Sequence, residues 1–211
     1  MTASHGARPL AVVILAAGKG SRYAAGSGRY KLLEPLADGR ALVRAACETA
    51  LAITDDVVVV QHWHTDRLAR ALVGLPVRTS ICRNAVSGMG ASLKCGVLAT
   101  EPHRDILLML ADMPFIQLDT ARAVCQALLE GAAIARPFFN GQPGHPVGFS
   151  CHLRESLLAL DDTHGAAGLL RTRHAELLRI DVEDPGCVRD VDVPADLPAA
   201  THVCPGVCAR Q

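Results

Sequence analysis

Aromatic residues are nearly missing from this 211-residue chain, at 3% of the total. A core without rings must be built from the Ala, Leu and Val that fill the apolar half of the sequence. Neither sign of charge is in excess, since 21 basic and 21 acidic residues cancel to a formal net charge of zero. No lysine-rich run exists either, so the electrostatic footprint of a general nucleic-acid binder or a membrane-surface protein is lacking. No apolar run approaches the length of a membrane span. The opening MTASHGARPL lacks the apolar core of a signal peptide, which predicts a flexible leader over residues 1–10 and a cytoplasmic protein. None of the eight cysteines stands in a C-x-x-C pair, and in a reducing compartment they read mostly as small buried hydrophobes. His202, Cys204 and Cys208 are only three candidate ligands at loose spacing, too few to predict a metal site.

What is present is organised around Val12 to Lys31, VVILAAGKGSRYAAGSGRYK. A short run rich in β-branched residues reads as a buried strand. It breaks into a small-residue loop carrying Lys19 and Arg22. Small side chains let a loop approach a ligand closely, and its N–H groups can surround an anion. Arg22 and Lys31 add charge where a triphosphate needs it. Taken alone, Gly18 and Gly20 fit a plain tight turn as well. The loop is no dinucleotide fingerprint, because Tyr23 stands where the third glycine belongs, and no Gly-Lys-Ser/Thr makes it a Walker A loop.

Further along, an alanine-rich helix is predicted over 41–52 and a second buried strand over the valine run 57–60. Gln61-His62-Trp63-His64 reads as loop rather than a metal or stacking site, and Thr65 as the cap of a helix to about Val73. A third strand over 77–81 leads to a glycine-containing turn, Asn84 to Gly90, that opens a helix whose N-terminus attracts anions. The fourth strand, 106–110, ends in Ala111-Asp112-Met113-Pro114, an aspartate at the strand end where α/β folds place ligands. Capping of the next segment is the alternative role for Asp112. Asp119 is expected to cap a helix to about Leu129, followed by a strand over 132–136, a turn and apolar strand over 139–149, and helices over 152–160 and to about 173. Without internal repeats or linkers, residues 11–200 read as one domain and 201–211 as a tail.

Several of these stretches resemble, in order, the nucleotidyltransferases that activate sugars, isoprenoid precursors and the molybdenum cofactor. Leu15-Ala16-Ala17-Gly18-Lys19-Gly20-Ser21-Arg22, then Lys31-Leu32-Leu33, is similar to L-A-A/G-G-x-x-x-R followed by lysine. Asn84 to Leu93 is similar to N-x-x-x-x-G-[MQL]-x-x-S-L, and Asp112-Met113-Pro114 to D-M-P. Gly141 to Phe149 matches G-x-x-G-H-P-V-x-F, and Arg189 to Leu197 resembles the closing D-I-D-T-P-E-D-L. The set is identified as MobA-like, nearest to the molybdenum cofactor cytidylyltransferase branch, because Ala17 stands where the guanylyl branch more often has glycine.

The resemblance implies a Rossmann-like three-layer α/β sandwich with a mostly parallel central sheet. It implies that Leu15 to Arg22, Lys31, Asn84, Gly88 and Ser92 bind the nucleotide, with Arg22, Lys31 and Asp112 as the catalytic set. Asp112 and Asp192 would hold Mg²⁺, and Gly144, His145 and Pro146 would face the acceptor. The implied reaction joins CTP to molybdopterin, or a related phosphate acceptor, with release of pyrophosphate. Implied partners are these small molecules and, transiently, a molybdoenzyme or its chaperone, for a monomer or weak oligomer that binds neither nucleic acid nor membrane. Asp190 is expected to support Asp192, with Asp196 on the outer face of a terminal helix. The chain departs from the family at two places. Tyr23 to Tyr30 is longer than usual and opens with tyrosine, making Arg29 a second phosphate candidate, and Asp162 to Ala167 replaces G-D-x-G-A-R. A guanylyltransferase or other NTP transferase, a cofactor-binding protein without turnover, and a dinucleotide-dependent oxidoreductase are the alternatives.

Overall fold

The structure, a computed structural model, describes residues 9–18, 23, 29–62 and 66–197. Trp63, His64 and Thr65, and the His202, Cys204 and Cys208 group, lie outside the described residues. Runs of β-branched residues form the centre. β1 (Leu10–Ala16) and β2 (Val57–His62) pair in parallel, and all four valines of 57–60 are sealed from solvent. A parallel strand covered on both faces requires such an unbroken run. β3 (Arg78–Cys82) continues the sheet beyond β2, while β4 (Asp105–Leu110) pairs in parallel with the other side of β1. Beyond β4, β5 (Ile134–Phe139) and β6 (Gln142–Pro143) form a hairpin. β7 (Val147–Phe149) lies between β4 and β5, antiparallel to both, and β8 (Leu177–Asp181) pairs in parallel with β5. The result is one mixed, mostly parallel sheet of order β3-β2-β1-β4-β7-β5-β6, with β8 branching from β5.

Alternation along the strands builds two core layers. Val12, Ile14, Val57 and Val59 face α1 (Leu42–Leu51), α2 (Asp66–Ala71) and α4 (Leu118–Leu129), through Val43, Leu68 and Val124. Val13, Val58 and Val60 face α3 (Met89–Leu98), α5 (Arg154–Leu158) and α6 (Ala167–Thr172), through Leu93, Leu157 and Leu169. This is the three-layer α/β sandwich expected from the motifs. α3 sits unusually close to the sheet at Gly96, where a Cβ would stand 2.3 Å from Val13 Cγ1 and 2.9 Å from Val60 Cγ2.

Three local expectations are corrected. α4 begins at Leu118 with Gln117 as its N-cap, so Asp119 lies in the first turn and does not cap. The start is fixed from outside: the buried Asp184 carboxylate accepts the Gln117 N–H at 2.9 Å. The helix expected over 152–160 is a 3-10 turn, Cys151–Leu153, running into the shorter α5. Asp196 closes a 3-10 turn, Pro194–Asp196, and its carboxylate folds back onto the N–H groups of Asp192 and Val193.

Candidate active site

β1 leads to β2 and β3 on one side, whereas β4 lies on its other side, so the connections diverge between β1 and β4. Open α/β sheets bind ligands in the crevice outside the strand ends at such a point. Here the Ala111 N–H donates to the Leu15 carbonyl at 3.1 Å, which ties the end of β4 to the end of β1. The crevice is a cavity of about 270 Å³, lined by Leu15, Ala16, Ala17, Gly18, Lys31, Gly88, Ser92 and Asp112 among the residues expected to bind. Ala85, Met89 and Tyr30 complete much of its wall.

Lys31 begins the 3-10 turn Lys31–Leu33 and is 8% exposed. Its Nζ donates to Asp112 Oδ2 at 2.7 Å and to Asp192 Oδ1 at 3.2 Å. Burial by itself favours loss of the ammonium proton, but the hydrogen bonds and charges of Asp112 and Asp192 outweigh it and hold the pKa above the usual lysine value. The closing segment is pinned by the Val191 N–H, which donates to the Asp112 carbonyl at 2.9 Å. Asp196 then fixes Asp192, because one of its carboxylate oxygens accepts the N–H groups of both Asp192 and Val193 at 2.7 Å. These backbone hydrogen bonds lower the Asp196 pKa. Sequence reasoning missed that task; an acidic residue three positions past Val193, behind Pro194, was the available signal.

Two carboxylates from distant parts of the chain thus converge on one cationic nitrogen. Asp112 and Asp192 therefore fit a hard cation, which takes oxygen ligands. Among the described residues no group of three His, Cys, Asp or Glu side chains assembles, so phosphate and water would supply the remaining ligands.

The other expected residues fall in three classes. Lys19, Gly20, Ser21 and Arg22 lie outside the described residues. Asn84 does not line the cavity; its amide donates to Asp162 Oδ2 at 3.3 Å. Gly144, His145 and Pro146 also stand away from the cavity wall. A Cβ on Gly144 would meet the Cys187 carbonyl and sulfur at 2.6 Å, and the His145 N–H donates to that carbonyl at 2.7 Å. Burial, then the Arg136 charge, push the His145 pKa down to about 4 against the opposing pull of the Leu108 carbonyl and Asp112. His145 is therefore neutral, and its buried Nδ1 has no hydrogen-bond partner in the structure.

The two departures from the motif pattern also find their places. Tyr23 is 1% exposed and packs with Leu42 and with Val191, the neighbour of Asp192. Arg29 pairs with Glu34 at 3.3 Å. The 161–163 loop sits on the start of α3: the Asp162 carbonyl accepts the Ala91 N–H at 3.1 Å, and Lys94 pairs with Asp162 at 2.5 Å. That approach requires glycine, since a Cβ on Gly90 would stand 1.9 Å from the Asp161 carbonyl oxygen.

The family model for the MobA-like NTP transferase domain matches residues 12–177. The chain belongs to this family. It is 32% identical over 156 residues to the bifunctional protein GlmU of Leifsonia xyli subsp. xyli, a match covering 72% of this chain and 31% of that protein. The chain therefore spans about a third of the length of that curated relative. Among solved structures, Rv0371c from Mycobacterium tuberculosis H37Rv is similar at 25% identity and a TM-score of 0.73, over 90% of this chain and 96% of that one. A complex of that protein with manganese is similar at 22% identity and a TM-score of 0.69, over 89% and 95% of the two chains. A nucleotidyl transferase from Methanothermobacter thermautotroptrophicus shares the fold at 24% identity and a TM-score of 0.76, over 90% and 94%. The family match thus places an NTP transferase domain over residues 12–177, and these neighbours share its fold.

Proposed function

We propose that the chain transfers a cytidylyl group from CTP to the phosphate of molybdopterin or a related acceptor and releases pyrophosphate. The observation that carries this reading is Lys31, which lines the cavity with Asp112 and hydrogen-bonds both Asp112 and Asp192. The acceptor phosphate attacks the α-phosphorus in line, and pyrophosphate leaves. No general base is needed, because the acceptor is already ionised near neutral pH. Two polyanions repel each other, so catalysis consists largely of positioning and charge neutralisation. Arg22 and the loop amides bind the β- and γ-phosphates, Leu15 to Ser21 with Gly88 and Ser92 enclose the nucleotide, and Lys31 meets the charge that grows on the α-phosphate. Asp112 and Asp192 would hold Mg²⁺, which would supply charge neutralisation at the phosphates. In support, a structural neighbour has been solved with manganese.

Cytosine is assigned from Ala17 in the loop, and the acceptor from Gly144-His145-Pro146. On this reading residues 11–200 form one catalytic domain of a cytoplasmic monomer or weak oligomer, meeting a molybdoenzyme or its chaperone only to hand over product. The likeness to GlmU favours a second reading, another nucleotidyl transfer with a different base and acceptor. Competitive turnover of equimolar CTP and GTP, read as pyrophosphate release with Mg²⁺ and molybdopterin, tests the proposal. A backbone that reads one base edge leaves buried groups unpaired with the wrong base, so CTP is expected to win by about 10²-fold. Preference for GTP would move the chain to guanylyl transfer. Turnover only with another NTP and a different phosphate acceptor would favour the second reading.

A further inference from the structure

Outside the carboxylate pair, one cluster of reactive side chains stands out. Cys82 ends β3 and Cys95 lies in the second turn of α3, thirteen positions further on, with their sulfurs 2.8 Å apart. A formed disulfide needs about 2.05 Å, so less than about 1 Å of closure separates the thiols from a bond. The elements that carry them are already clamped together: Ser80 Oγ contacts the Cys95 carbonyl at 3.5 Å, and the Cys82 thiol points at the Ala91 carbonyl at 3.5 Å. The two cysteines differ in access. Cys82 is fully buried, whereas Cys95 is partly exposed. Between them the chain carries Ala85, Gly88, Met89 and Ser92, all of which line the nucleotide cavity.

We infer that Cys82 and Cys95 are a disulfide-forming pair which, on meeting a small-molecule disulfide, closes and staples this wall of the nucleotide cavity. The order of attack follows from access. The Cys95 sulfur loses its proton and attacks the oxidant RSSR, giving a Cys95–S–SR mixed disulfide and one RSH. The Cys82 sulfur then loses its proton, attacks Cys95 Sγ, and expels the second RSH. Two protein thiols are oxidised by two electrons, and one RSSR is reduced to two RSH. Burial, then the hydrogen bond shared with Cys95, push the Cys82 thiol up to about 12, which makes it a poor first nucleophile. Contact with Cys95 compensates in the second step, which is intramolecular. This inference goes beyond the proposed reaction and does not depend on it.

Oxidised glutathione added to the folded, full-length protein, followed by tryptic digestion without reductant and mass spectrometry, tests it. The expected product links peptide 79–83 to peptide 95–104 and disappears on treatment with a thiol reductant. In Cys82→Ala the reaction stops at glutathione on Cys95. In Cys95→Ala neither a cross-link nor an adduct at Cys82 forms. The wild-type cross-link also raises the urea midpoint of the oxidised protein, and the midpoint returns on reduction. Absence of the 82–95 link while other thiols take up glutathione would overturn the inference. So would labelling of Cys82 in Cys95→Ala as fast as of Cys95 in Cys82→Ala, or a midpoint that oxidation leaves unchanged.

Discussion

Lys31 stands between two carboxylates that reach it across 81 and 161 positions of chain. Two negative charges against one positive leave the group net negative, which suits it to a further cation. Asp112→Asn keeps the shape and removes that charge, so turnover should fall by about 10²-fold or more while the fold persists. Circular dichroism beside pyrophosphate release checks both halves, and wild-type turnover at limiting Mg²⁺ would remove Asp112 from the site. Asp196 acts one step back, by holding the backbone of Asp192. Asp196→Asn should raise the Mg²⁺ concentration for half-maximal turnover by roughly tenfold, with recovery at saturating metal. A loss that metal does not repair would mean general disruption instead. His145 carries a pH signature. Its pKa in the fold is about 4, below its ordinary 6.5. Between those values the unfolded chain binds a proton that the folded chain refuses, so stability falls as pH drops from about 6.5 to about 4. The full effect is on the order of 3 kcal/mol. Urea midpoints across that window should slope less in His145→Gln than in the wild type.

At the scale of elements, α3 matters most, because it presents Gly88 and Ser92 to the cavity while resting on β1 and β2. Gly96 allows that seat. Gly96→Ala would drive a methyl group against Val13 and Val60, and overpacking of this kind costs about 1–3 kcal/mol. The expected outcome is a lower urea midpoint together with weaker nucleotide binding, since the helix start moves with its middle. A stability loss with unchanged nucleotide affinity would show that α3 does not set the cavity wall. The start of the helix is tied to the loop before α6 through Asp162, so the segment that departs from the family motif also braces the cavity wall.

For the whole molecule, the cavity forms where the ends of β1 and β4, the turn at Lys31 and the start of α3 meet, so a bound nucleotide should stabilise all of them together. Ligand at about a hundred times its dissociation constant adds roughly 2.7 kcal/mol, about 5–10 °C in melting temperature for a domain of this size. Thermal melts with CTP should show this rise with Mg²⁺ and a much smaller one with chelator. An equal rise in both would argue against a metal-assisted nucleotide site.

The sequence by itself determined the central strands, because an unbroken apolar run such as 57–60 suits a covered parallel sheet, whereas the half-exposed β8 has no such run and is not predicted. Along the described part of the chain it also pointed to the cavity, since Ala17, Gly18 and Asp112 follow directly from the ends of β1 and β4. Residues 19–22 carry the rest of that motif outside the described residues. Only the tertiary structure decided that Lys31 bridges Asp112 and Asp192, that Asp196 holds the Asp192 backbone, and that Asp184 rather than Asp119 fixes the start of α4. The Cys82 and Cys95 contact belongs with these. Periodicity and turn chemistry record what a residue does with its near neighbours along the chain. Which side chains meet across 81 or 161 positions depends on strand order and on how closely helices settle on the sheet, and both are properties of the packed molecule.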